Sequence, residues 1–257
     1  MNTKLFPKVA RWYDTLASTN ETAILNINAG KGADAGAVYW TEEQSKGRGQ
    51  GSNRWHATPA ANLTISIVAY PNHLPVDRLF ALTQLTGLAV ADTVRHFLPE
   101  RAAEVRLKWP NDVYVGKQKI AGILVQNGLR GSQISWSVFG IGLNVNEKNF
   151  PQELKTTATS LRLLAGTDFD RETVANQLFS AFSKAYELTS PARLPELDQA
   201  YHQSLYLKNI PAPYRNTETG EHFTAIIRGV APTGQLRLEM SDGREQLFSL
   251  REIGFLR

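Results

Sequence analysis

The sequence predicts an α+β fold: a mixed or antiparallel sheet with helices packed against it, followed by a small β-barrel at the C-terminus. Three observations predict it. Leu63, Ile65, Ile67 and Ala69 alternate with Thr64, Ser66, Val68 and Tyr70, the two-residue period of a strand. Leu79, Leu82, Leu85, Ala89, Val90, Val94 and Phe97 recur at three- and four-residue steps, which gives a helix one buried face. Beyond Ile210-Pro211-Ala212-Pro213 the chain reads as strand and turn only. A unit of about 45 residues is marginal alone and is expected to pack on the main body.

The elements follow in order. Ser18-Thr19-Asn20-Glu21 puts a capping residue type ahead of Thr22-Ala23-Ile24-Leu25, so a helix is expected to start there. Ala37 to Thr41 reads as a strand, and a polar, glycine-bearing loop is expected from Glu42 to about Ala61. After the long helix, Val105, Leu107 and Trp109 alternate, and Val113-Tyr114-Val115 precedes a turn at Gly116-Lys117. Ile120 to Gln126 and Gln133 to Val145 complete a set suited to antiparallel pairing. Helices are expected from Asp170, as N-cap, to about Thr189, and from Pro195 to Leu207. In the C-terminal part, Phe223 to Val230, Leu236 to Met240 and Gln246 to Leu250 are strands, separated by Pro232-Thr233-Gly234 and the Asp242-Gly243 hairpin signal. The expected division is 1–209 for the main domain and 210–257 for the β module.

Composition narrows the function. With 42% apolar and 20% charged residues, the 257-residue chain can build a core, and it has no apolar run long enough to span a membrane. Its first residues lack the apolar block of a secretory signal, so a cytoplasmic location is expected. The absence of cysteine excludes disulfides, thiolate metal sites and thioester chemistry. The net charge of +4 suits anionic partners without choosing among them, and the basic residues are scattered rather than gathered into a nucleic-acid arm.

Three segments carry candidate chemistry. In Gln44-Ser45-Lys46-Gly47-Arg48-Gly49-Gln50-Gly51-Ser52-Asn53-Arg54-Trp55, closely spaced glycines let backbone N–H groups approach an anion. Arg48 and Arg54 add charge in a fork suited to phosphate or carboxylate, and Trp55 offers a flat stacking face. The segment is either a phosphate cradle or a mobile surface loop, and it is neither a Walker A nor a dinucleotide fingerprint. In Lys108-Trp109-Pro110-Asn111-Asp112, Pro110 should end a strand and leave Asn111 and Asp112 at a turn. Lys119 then enters an apolar strand, where desolvation strengthens its hold on an anion, and Gly122 suggests a close approach to that strand. A plain hairpin with an exposed lysine is the competing reading. Gly140-Ile141-Gly142-Leu143-Asn144 leaves room on one strand face for a ligand or for another packed element.

Taken in order, Ser18-Thr19-Asn20, Gln44 with Gly47-Arg48-Gly49 and Trp55, Lys108-Trp109-Pro110-Asn111-Asp112, Lys119 with Ala121-Gly122-Ile123-Leu124, and Gly142-Leu143-Asn144 resemble the biotin–protein ligase family from about Ser18 to Leu161. The resemblance extends to the C-terminal β module. It implies a class II synthetase-like catalytic domain, the biotin/lipoate ligase fold, with an SH3-like barrel. It also implies a two-step activity: biotin and ATP, with Mg2+, give biotinyl-5'-AMP, and the biotinyl group passes to a lysine of a biotin carboxyl carrier protein or carrier domain.

By the same resemblance Ser18, Thr19, Asn20 and Gln44 bind the ureido ring, with Gly47, Arg48, Gly49, Lys119 and Gly122 completing the biotin site. Arg48, Gln50, Asn53, Trp55, Asn111 and Asn144 are the expected ATP-binding residues. Lys119, Arg48 and Asp112 are the expected catalytic residues, Asp112 orienting or deprotonating the incoming lysine. No metal-ligating side chains are expected.

The commonest family loop reads Gly-Arg-Gly-Arg-Arg-Gly-Arg. Here Gly47, Arg48, Gly49, Gln50, Gly51, Ser52 and Asn53 stand in those places, with Arg54 displaced by one residue as a candidate to compensate. The weaker charge bears on adenylate retention. The alternatives are a lipoate–protein ligase and a non-catalytic biotin-binding protein, whereas the octanoyltransferases need a cysteine this chain lacks. The ligand motif begins so early that no N-terminal winged helix-turn-helix, and so no DNA partner, is expected. No membrane partner is expected either, and a homodimer is left open.

Overall fold

The computed structural model describes residues 7, 9–31, 33–51 and 54–256. A seven-stranded sheet forms the body, in the order β1-β2-β3-β7-β6-β5-β4. Its strands are β1 (Val9–Leu16), β2 (Ala37–Gln44), β3 (Leu63–Ala69), β4 (Val105–Lys108), β5 (Asp112–Val115), β6 (Gln118–Arg130) and β7 (Gln133–Leu143). Only β1 and β2 run parallel, and every other neighbour is antiparallel, so the sheet is mixed.

Helix α1 (Thr19–Asn28) starts where expected: Ser18 is its N-cap, its side chain accepting from the Glu21 amide. It packs over β2, β3 and β7, while α2 (Phe80–Phe97) packs on β4, β5 and β6 with α4 (Arg171–Glu187) and α5 (Leu194–Ser204) against it. All seven residues of β3 are therefore buried. Its alternation distinguishes two covered faces, with the polar residues Thr64 and Ser66 inside as well as the apolar ones. Asp170 caps α4, as expected, through its carboxylate to the Thr173 amide.

Two elements of the body escaped the sequence reading. Among the described side chains of edge strand β1, Ala10 to Leu16, none is buried, so it shows no clean apolar period. By pairing from Val9↔Ala37 to Leu16↔Gln44, it also carries β2 through Gln44, three residues into the segment expected to be loop. The short helix α3 (Leu161–Ala165) is capped by Ser160 and stopped by Gly166 in the left-handed region.

The C-terminal sheet runs β11-β10-β9-β8-β12, all antiparallel. It comprises β8 (Pro211–Asn216), β9 (His222–Val230), β10 (Leu236–Met240), β11 (Glu245–Phe248) and β12 (Ile253–Phe255). Both expected turns are present, with Gly234 and Gly243 at positive φ. Strands β8 and β12 were not anticipated. Pro211 lies where β8 pairs with β9 alone, and Pro213, just before the β12 pairing, takes part through its carbonyl, which accepts from Leu256 N, so two missing amide hydrogens are tolerated. Ala212, Tyr214, Ile227, Leu236 and Leu238 share one continuous buried core with the main body, so the module packs on it as expected.

Candidate active site

The segments singled out in the sequence converge on a cleft of about 820 Å³, within the size range of small-molecule sites. One end is the start of α1. Ser18, Thr19 and Asn20 are buried and line the cleft together with Gln44 from the end of β2. The Thr19 amide donates to Gln44 Oε1 at 2.8 Å, and Asn20 Nδ2 donates to the Leu124 carbonyl and to Gln126 Oε1. A polar cluster thus sits at a helix N-terminus, locked by strands β2, β3 and β6.

The glycine-bearing loop folds back on itself. Trp55 N donates to the Gly47 carbonyl, and Arg48 pairs with Arg54 in an isolated antiparallel bridge. A Cβ at Gly47 would stand 2.7 Å from the Trp55 carbonyl oxygen, so the return is possible only with glycine there. Arg48, Gly49, Gln50, Gly51 and Arg54 line the cleft, whereas Gly47 is buried behind it. Asn53, an expected ATP-binding residue, and Ser52 lie outside the described residues. Arg48 forms an ion pair with Glu21, in the first turn of α1.

The floor is made by β6 and β7. Trp55 lies across Gly122 and Gly142, and Asn20 fills the space above Gly140. The room those glycines leave is taken by two side chains of other segments. Lys119 is held by its backbone on both sides, its N–H donating to the Thr157 carbonyl and its carbonyl accepting from Thr159 N. Its Nζ lies 2.6 Å from Asp112 Oδ1 and 5.7 Å from the Trp55 ring centroid. Asn111 braces the turn before β5, with Nδ2 donating to the Ile123 carbonyl at 2.7 Å.

Asn144 differs from its expected place beside a nucleotide. It is buried next to the cleft rather than on its wall, because its Nδ2 donates to the Thr159 carbonyl and holds the side chain down, leaving Oδ1 buried without a partner.

The sequence reading missed the wall supplied by the C-terminal module: Leu250, Arg251, Ile253 and Phe255 line the same cleft. Arg251 stands against Gly51 at the loop tip, Lys108 Nζ lies 4.7 Å from the Phe255 ring centroid, and Trp109 Nε1 donates to the Gly234 carbonyl at 2.9 Å. No local pattern joins these residues, although Lys108 and Trp109 had been quoted in a motif without a role. Among the described residues that line the cleft, Arg48, Arg54, Lys108, Lys119 and Arg251 face the single carboxylate of Asp112. Such a wall attracts anions and can hold two of them close together.

Comparisons with known proteins identify the family. The bifunctional ligase/repressor BirA of Bacillus subtilis is 29% identical over 93% of this chain and 71% of its own length. The biotin–[acetyl-CoA-carboxylase] ligase of Mycobacterium tuberculosis is 37% identical over 65% of this chain and 61% of its own. In fold, a biotin protein ligase from Aquifex aeolicus, solved with biotin and ATP, superposes with a TM-score of 0.78 at 23% identity, covering 97% of this chain and 99% of that one. The profile described as the biotin/lipoate A/B protein ligase family matches residues 13–144, the stretch that runs from the capping cluster through the loop and Lys119 to Asn144, and the chain belongs to that family.

Proposed function

We infer that this chain is a biotin–protein ligase: it activates biotin with ATP to biotinyl-5'-AMP and transfers the biotinyl group to a lysine of a biotin carboxyl carrier protein. The observation that carries the reading is the junction, in one cleft, of a hydrogen-bonding cluster at the α1 N-terminus with a wall of cationic side chains. A carboxylate and a triphosphate repel each other, so their reaction needs such a wall.

In this reading Ser18, Thr19, Asn20 and Gln44 face the ureido ring, and Gly47, Gly49 and Gly122 shape the channel for its chain. Lys119 and Arg48 exchange their protein carboxylates, Asp112 and Glu21, for the biotin carboxylate and the α-phosphate. A carboxylate oxygen attacks the α-phosphorus and pyrophosphate leaves. The carrier amine then attacks the acyl carbon, AMP leaves, and the amine's proton passes to Asp112, which Lys119 has released. Each well-placed donor contributes roughly 3 kcal/mol to such a step.

Trp55 stacks on adenine, with Gln50, Asn53 and Asn111 on the nucleotide, while Asn144, held down by the Thr159 carbonyl, supports the site from behind. Mg2+ would enter with ATP and would offset the charge of its phosphates. The catalytic domain ends at residue 209, a boundary supported by the start of β8 at Pro211. A cytoplasmic location suits this reaction, and no helix among the described residues is long and apolar enough to cross a membrane.

The deciding experiment is ATP-dependent transfer of biotin to a carrier domain, with Lys119→Ala as control and lipoate as competitor. Transfer that needs biotin and Lys119 is expected. Turnover of lipoate without turnover of biotin, or full activity of the variant, overturns the reading.

A further inference from the structure

Ser66 lies in the middle of β3, fully buried and behind the cleft, and the reaction as described gives it nothing to do. Its hydroxyl nevertheless touches two residues that the cleft presents. Ser66 Oγ is 2.6 Å from Asn20 Oδ1 and 2.7 Å from Thr19 Oγ1. The direction of each hydrogen here is set by groups that have no alternative. Asn20 Nδ2 donates to the Leu124 carbonyl, which can only accept, so the amide oxygen must be the atom facing Ser66. An acceptor at that distance takes the one hydrogen Ser66 has. Thr19 Oγ1 must then donate its own hydrogen to Ser66 Oγ.

Gln44 is oriented by the same logic. The Thr19 amide, which can only donate, meets its Oε1 at 2.8 Å, so Nε2 is the atom left without a protein partner among the described residues. Thr19 Oγ1 also lies within hydrogen-bond reach of Gln44 Oε1, at 3.2 Å, but two hydroxyl hydrogens cannot serve three contacts, and this longest one is left without a hydrogen once the two shorter ones are served.

We propose that Ser66 is a positioning residue that sets the polarity of the biotin pocket: by taking the Thr19 hydrogen and passing its own to Asn20, it leaves Thr19 Oγ1 facing the ligand as an acceptor only, beside Gln44 Nε2 as a donor. The inference rests on the reading that Thr19 and Gln44 face the ureido ring, whose adjacent N–H and C=O complement that pair. A hydroxyl free to rotate serves a donor or an acceptor alike. One whose hydrogen is committed rejects a ligand that lacks an N–H at that place.

The test compares biotin with the two cyclic carbamates in which oxygen replaces one ureido N–H, using pyrophosphate release by the full chain. The parent should reject at least one carbamate. Ser66→Ala should raise the biotin KM about tenfold and reduce that rejection by a similar factor, with the ATP KM unchanged. An unchanged biotin KM and unchanged rejection in Ser66→Ala overturn the proposal. If the alanine variant does not fold, Ser66→Cys, a weaker donor, carries the same expectation and the same refutation. Thr19→Val separates the two layers. If it leaves the biotin KM unaltered, the ureido assignment itself fails. If it raises that KM while the Ser66 variants are silent, only the relay fails.

Discussion

The indole of Trp55 occupies the space that a side chain at position 142 would need. A Cβ at Gly142 would overlap the five- and six-membered rings at their junction, and one at Gly122 would stand 3.0 Å from the ring edge. At Gly140, two residues earlier on the same face of β7, the neighbour is instead the Asn20 amide. The same small change should therefore have different effects one strand step apart. Gly142→Ala should raise the ATP KM by displacing Trp55, with the biotin KM little altered. Gly140→Ala should raise the biotin KM by displacing Asn20. Overpacking of this kind costs about 1–3 kcal/mol, so both variants should also melt earlier. Equal effects of the two variants on both substrates would contradict the division of the floor into a nucleotide half and a biotin half.

Lys119 and Asp112 give a second test, because each is assigned to a different step. Removing the ammonium should disable adenylate formation, with Lys119→Ala lowering pyrophosphate release on the order of 100-fold. Asp112→Asn keeps the shape but removes the proton acceptor. It should leave pyrophosphate release largely intact while slowing transfer from preformed biotinyl-5'-AMP to the carrier. If Asp112→Asn slows both half-reactions equally, the carboxylate acts through Lys119 alone and has no role toward the incoming amine.

Much of the body was legible because its periods are clean. The long apolar stripe from Leu79 to Phe97 and the alternation from Leu63 to Ala69 fix α2 and β3, and Ser18 and Asp170 mark helix starts by cap chemistry. The glycines of β6 and β7 were read as leaving room for something; that the occupants are Trp55 and Asn20 depends on contacts across more than 60 and 100 residues of chain, which no local pattern records. Strand β1 was illegible because its side chains lie at a sheet edge, and β8 because its two prolines read as a break. The cleft wall from Leu250 to Phe255 was hidden for a third reason. It joins the catalytic residues only through the docking of one sheet on the other.

That docking yields a third prediction. The Arg251 guanidinium would stand 3.2 Å from a Cβ at Gly51, and the backbone of Arg251 sits in the left-handed region at φ 75°. A non-glycine residue there is disfavoured, so its side chain is expected to be worth the conformation. Arg251→Ala should weaken ATP binding and loosen the loop tip, seen as a higher ATP KM and faster proteolysis between Gly47 and Trp55, with the biotin KM unchanged. Arg251→Gly relieves the backbone but also removes the charge, so it should be as defective in ATP binding as the alanine variant while melting later. A glycine variant with normal ATP binding would mean that the guanidinium contributes nothing to the site.

Glu147 is the anchor of the loop's other leg. Its carboxylate is buried, yet it accepts from Thr58 N at 2.9 Å, Thr58 Oγ1 at 2.7 Å and Asn62 Nδ2 at 2.8 Å. Burial pushes the carboxyl up, but these hydrogen bonds, with His56 nearby, outweigh it and hold the group below the ordinary carboxylate range. Because the folded state binds the proton less readily than the unfolded chain, whose glutamates titrate near about 4.3, the contribution to stability is complete above roughly pH 5. It is lost as the pH falls through the folded-state value. Glu147→Gln should therefore be less stable than the parent by about 2 kcal/mol at neutral pH, with the difference closing in acid, where the parent's carboxyl is also neutral. Thr58 is three residues from Trp55, so the same variant should raise the ATP KM at neutral pH. Denaturant midpoints of parent and variant measured at neutral pH and in acid decide it: a gap that stays constant would mean that the charge on Glu147 does not hold the leg.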